Sequence, residues 1–175
     1  MRNSYLFIGL LFFVGTVANG QNSLRSFSNV PAQFPIKLAD TLKYCLGANE
    51  IGAGGYDLVS YFDSGQPALG VEKYKATYDA VLYHFMNEEN RSKFLESPEM
   101  YLPIFGGWCS MTLAMGRATI PVYDNFLIIN GRLYLFERTI SVNGKLVWQQ
   151  DPPENARRAQ INYVDFVSDG IIQNK

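Results

Sequence analysis

The chain has little of what most catalytic and metal sites are built from. Its 175 residues include one histidine, His84, and two cysteines, Cys45 and Cys109. There is no CxxC, and a structural zinc site needs four nitrogen or sulfur ligands at suitable spacing, so the ligand supply argues against zinc. Neither usual phosphate-binding glycine spacing is present; Gly52 to Gly55 reads as a loop. No carboxylate pair sits in a shared apolar context suited to acid–base work. Charge of one sign is also missing: 15 basic against 16 acidic residues give a formal net charge of -1. That balance argues against nucleic acid and against an anionic membrane surface as partners. The sequence shows no internal repeat and no low-complexity segment.

What is present is a globular composition, 47% hydrophobic and 18% charged, in a length that suits one domain. Residues 1–20 read as a signal peptide. Arg2 gives a positive start and Leu6 to Val17 an apolar run too short to span a bilayer. Ala18-Asn19-Gly20 offers small residues for cleavage between Gly20 and Gln21. The expected product is secreted or periplasmic, with no transmembrane segment after cleavage. That compartment permits a Cys45–Cys109 disulfide, and two buried thiols are the alternative.

Residues 21–49 read as a loose arm carrying one short helix, Ile36 to Leu46, before the glycine-rich loop. Tyr56-Asp57 suits the cap of a single helical turn. Val71 to Tyr78 and Ala80 to Met86 alternate as strands joined at Asp79, with Val81, Tyr83 and Phe85 on one face and Leu82, His84 and Met86 on the other. Asn87 caps a helix to Leu95, stopped at Ser97-Pro98. Trp108 to Met115 predicts a further helix ended by Gly116. Asn130-Gly131 between two apolar runs predicts a two-residue hairpin. Thr139 to Val142 reads as a short β-branched run turning at Asn143-Gly144. Asp151-Pro152 starts a last helix, which carries the apolar residues of Glu154 to Phe166 on one face, and 167–175 is a tail. The expectation is a single α+β domain with short antiparallel strands, hairpins and three or four short helices.

Several stretches together resemble the YHS-domain family of small exported proteins. They are Gly55-Tyr56-Asp57-x-Val59-x-Tyr61-Phe62, Glu89-Asn90-Arg91-x-x-Phe94, and Pro98-x-x-Tyr101-x-Pro103-x-Phe105-Gly106-Gly107-x-Cys109. Asn130-Gly131-x-Leu133-Tyr134-Leu135 and the terminal helix with Trp148, Ala156 and Ala159 extend the likeness over about residues 50–166. Leu58 stands where proline is usual in that pattern, Trp108 stands for tyrosine, and His84 is followed by Phe85 rather than serine. The cysteine-rich metal ligands of the wider family are missing, so the resemblance implies a domain and not a zinc site.

Candidate chemistry is concentrated in Tyr78 to Gly116, which holds His84, Cys109, Met86, Met111 and Met115. Thiolate, thioether and imidazole are the donors that suit Cu(I), so these five residues are the expected ligands if a metal is bound, with copper as the expected ion. On a helix Met111 and Met115 share a face, while Cys109 lies about 200° round from Met111 and can join them only at the helix entrance. The same residues also suit core filling. Two other readings stay open. Cys109 after Gly106-Gly107 could be the nucleophile of a thiol-dependent enzyme, with His84 as base. Or the domain is a ligand-free structural or interaction module.

Overall fold

The computed structural model describes residues 40–46 and 49–169; the stretch read as a signal peptide, most of the arm and the end of the tail lie outside them. The α+β class holds. Two antiparallel hairpins form separate two-stranded sheets, β1 (Val71–Tyr78) with β2 (Val81–Phe85), and β3 (Val122–Ile129) with β4 (Arg132–Phe136). The helical elements are more numerous and shorter than expected. They are α1 (Asp40–Lys43), α2 (Ser60–Asp63), α3 (Glu88–Glu96), α4 (Pro98–Tyr101), α5 (Ser110–Ala114), α6 (Gly144–Trp148) and α7 (Pro152–Asp169). Only α3 and α7 exceed five residues, because glycine or proline follows or precedes most of the others within a turn.

Caps fix where these helices begin. Asn87 Oδ1 accepts from the Asn90 N–H at 2.8 Å and opens α3. Asp151 Oδ1 accepts from the Glu154 N–H at 3.3 Å and opens α7, which runs three residues past Phe166. The segment Thr139 to Val142 is not a strand. Thr139 N–H donates to the Val142 carbonyl at 2.8 Å, and Val142 N–H returns to Thr139 Oγ1 at 3.0 Å. β-Branching favoured an extended reading, but two hydrogen bonds within four residues close a tight turn. Asn143 then caps the unexpected α6 by accepting from the Lys145 N–H at 3.1 Å.

The chain does contain an internal repeat, contrary to the reading of the sequence. Two left-handed turns of matching dihedrals open the halves: Ala53 (φ 52°, ψ 30°) and Gly54 (61°, 19°), then Phe105 (58°, 32°) and Gly106 (61°, 16°). A parallel bridge links Ile51 to Leu82 in one half and Pro103 to Leu133 in the other. Asp57 N–H donates to Ala68 O at 2.8 Å, and Cys109 N–H to Thr119 O at 3.0 Å. Both hairpins carry the same irregularity, between Val71 and Lys75 and between Val122 and Phe126, and both turn through two residues of positive φ. The surviving identities are few: Gly54-Gly55 with Gly106-Gly107, and Leu82-Tyr83-x-Phe85 with Leu133-Tyr134-x-Phe136. Backbone geometry of this kind depends on turn residues and on strand alternation, and both tolerate wide side-chain change.

Each half has its own apolar cluster, and β4 stands between them. Leu133 and Leu135 face a cluster with Leu58, Tyr61, Phe85 and Phe94. Phe136 faces the other cluster, with Cys109, Leu113, Trp148 and Ala159. Alternation along one strand therefore feeds both clusters. The expected facing of β2 also holds, since Val81, Tyr83 and Phe85 are buried.

Candidate functional site

Cys109 sits at the entrance of α5, as the helical geometry required. Its sulfur is the N-cap acceptor: Thr112 N–H donates to Sγ at 3.4 Å and Glu137 N–H at 3.1 Å. Asp57 holds the matching place in the first half. Its Oδ1 accepts from the Val59 N–H at 2.9 Å, and its Oδ2 from the Met86 N–H at 2.8 Å and from Asn90 Nδ2 at 2.6 Å. Each acceptor thus ties a left-handed turn, a short helix and the end of a hairpin together. Asn90, noted within the family-like pattern, is buried and serves this tie. Its spacing from Asn87 revealed the cap but not the contact with Asp57, 33 residues away.

Cys109 has no exposed surface, and a substrate cannot reach its sulfur without opening the fold. Cys45, also buried, is not joined to it. Cys45 belongs to the strap after α1, where its N–H donates to Gly106 O at 2.9 Å. The Tyr123 hydroxyl lies against the Cys45 thiol, and burial together with that neighbour raises the phenol's ionisation well above its ordinary range. Alkylation of Cys109 by a small reagent such as iodoacetamide is expected to follow global unfolding. Native protein should label slowly and urea-unfolded protein fast, read by mass spectrometry of the Cys109 peptide. Fast native labelling at Cys109 would restore the nucleophile reading.

The five candidate metal ligands divide between the halves. His84 and Met86 lie on and just beyond β2, with Met86 exposed. The His84 imidazole has a buried Nε2 with no hydrogen-bond partner among the described residues. Cys109 and Met111 pack in the second cluster. Met111 and Met115 both line a groove of about 270 Å³. Among the described residues no group of three or more His, Cys, Asp or Glu side chains is placed to hold a metal ion. The sequence spacing grouped His84 with Cys109 because a hairpin and a helix start are close in chain order; the repeat places each in its own half.

The groove lies between α5 and the segment from Glu137 through α6. Met111, Met115, Val142 and Val147 form apolar walls, and Thr112, Thr139, Arg117 and Glu137 bring polar groups. A hydrogen-bonded chain runs from Thr112 Oγ1 to Thr119 Oγ1 at 2.8 Å and on to Glu137 Oε2 at 3.1 Å. Arg117 and Glu137 bring opposite formal charges to the groove, so its lining has no net charge of one sign. The sequence pattern pointed to Met111 and Met115; Arg117, Glu137 and Val142 carried no signal of their own, since the groove forms only when the 139–142 turn folds back. No protein-family model matches the chain, and no curated protein and no solved structure is found to be similar to it.

Proposed function

We propose that this is an exported, non-enzymatic binding module of YHS type that takes a soft cation, Cu(I), on the thioethers of Met111 and Met115. The observation that supports it is that both thioethers line one open groove, Met111 buried at its inner wall and Met115 56% exposed. Thioether sulfur prefers Cu(I) over the hard cations Ca²⁺ and Mg²⁺, which want oxygen. The buried sulfur of Cys109 supports the site from below. Its two backbone donors fix the first turn of α5, and with it the position of Met111.

Competition with a coloured Cu(I) chelator under reducing conditions tests this. The wild-type protein is expected to withdraw Cu(I). The Met111→Leu/Met115→Leu variant keeps volume and apolarity, so it should fold and bind more than about tenfold more weakly. His84→Ala is the control expected to bind like wild type. Equal competition by wild type and the methionine double variant, or none by wild type, overturns the reading.

A further inference from the structure

We infer that the groove face is self-complementary and pairs two copies of this chain about a twofold axis. The inference does not need the metal, because every feature it uses is present in the chain alone.

Three observations carry it. First, the turn Thr139–Val142 stands at the edge of the groove: its two end residues line the groove and Ile140 at its tip is fully exposed. Hydrogen bonds across the turn and a bridge from Arg138 to Asn143 hold it in shape. A rigid turn presenting an isoleucine to water is an apolar knob, and single exposed apolar side chains become notable when others surround them. Val142 and Met115, at 54% and 56% exposure, do so along the adjoining groove.

Second, knob and groove are neighbours on one face. A twofold axis through that face sets each copy's Ile140 turn over the other copy's groove. Such a contact is isologous and closes at two chains, whereas a knob remote from its groove would propagate into a filament.

Third, the charges fit the same operation. Arg117 and Glu137 both line the groove. The Arg117 guanidinium makes no ion pair or hydrogen bond among the described residues, and the Glu137 carboxylate has only the Thr119 hydroxyl. Several exposed charges elsewhere are paired, as Arg138 is with Asp124, Arg157 with Glu154 and Lys93 with Asp63. A cation and a carboxylate left over on one face are each other's partners across a twofold: Arg117 of one copy meets Glu137 of the second, twice. A small apolar centre rimmed by two charge pairs fits a weak, reversible dimer.

Sedimentation velocity of the full chain, from about 1 to about 200 μM, spans the dissociation constants of such small interfaces. Wild type is expected to shift from monomer to dimer with concentration. Arg117→Glu sets two carboxylates against each other at both contacts, and Glu137→Arg sets two guanidinium groups against each other. Each variant alone is expected to dissociate about tenfold or more readily. Mixed one to one, the two variants form a heterodimer that sets a carboxylate against a guanidinium at both contacts, so the mixture is expected to dimerise although neither variant does so readily alone. The double variant Arg117→Glu/Glu137→Arg restores two attractive pairs with their polarity reversed and is expected to regain dimerisation. A merely unfolded variant cannot give that rescue. Ile140→Asp, at a fully exposed site, is expected to leave the circular dichroism spectrum unchanged and remove the dimer. A wild type that stays monomeric throughout, a double variant without rescue, or an Ile140→Asp variant that dimerises normally overturns the inference. Copper competition by a monomeric wild type would leave the metal reading standing on its own.

Discussion

Asp57→Ala lowers the unfolding free energy by about 3–5 kcal/mol in a urea titration, the scale for stranding the partners of a buried charged group. The carboxylate has no exposed surface. Its removal leaves the N–H groups of Val59 and Met86 and the Asn90 amide without their acceptor. These three donors come from the start of α2, the end of β2 and α3, so one substitution loosens three elements at once. Domains of this size are stable by about 5–15 kcal/mol, so the variant loses a large share of that margin and is expected to unfold at a clearly lower urea concentration. Asp57→Asn keeps the shape but removes the charge and one of the two acceptors. Both carboxylate oxygens are acceptors here, and an amide turns a donor toward donors on one side, so asparagine is expected to be destabilising as well. A loss under about 1 kcal/mol for alanine would show that water or a shifted backbone replaces the carboxylate easily. The matching site in the second half holds the softer sulfur of Cys109 and makes two contacts rather than three. Cys109→Ser is expected to cost less than Asp57→Ala in the same titration.

Gly106→Ala is the second large effect. Gly106 has φ of +61°, where an L side chain costs about 1–2 kcal/mol. A β-carbon there would stand 1.7 Å from the Lys43 carbonyl oxygen and 3.1 Å from the Tyr163 hydroxyl. That carbonyl already accepts from Tyr163 at 2.8 Å, and Gly106 O accepts from the Cys45 N–H. The strap between α1 and Cys45 must therefore lift, and its ties to α7 and the second turn go with it. Unfolding is expected to cost about 3 kcal/mol less than in wild type, the backbone strain plus the lost burial and hydrogen bonds. Gly65→Ala is the internal control. Its φ is similar, +65°, but nothing lies within 4 Å of the added carbon, so it should show the backbone strain alone. Equal effects at the two glycines would mean that the strap contributes nothing.

These two residues show how far the sequence could be read. Asp57 before an apolar pair is legible as a local cap, and its Val59 contact is local. Its contacts with Met86 and Asn90 cross 29 and 33 positions and leave no periodic trace. Gly106-Gly107 is legible as a corner, yet the reason alanine fails there is the carbonyl of Lys43, far earlier in the chain. The repeat was hidden for a related reason. Its two halves share turn conformations, a bulge and a register, while side chains facing different neighbours have diverged.

Sequence alone was enough for the α+β class, both hairpins, the buried face of β2 and the capped starts of α3 and α7. These follow from alternation, from Asn-Gly and Asn/Asp capping chemistry, and from proline, all of which act over a few residues. The remainder waited on long-range packing. Packing divided the candidate ligands between two halves and sealed Cys109 beneath two backbone donors. It also folded the Thr139–Val142 turn beside Met111 and Met115 to make a groove. Such outcomes depend on which distant surfaces meet, and a one-dimensional pattern carries the propensity of each surface but not its partner.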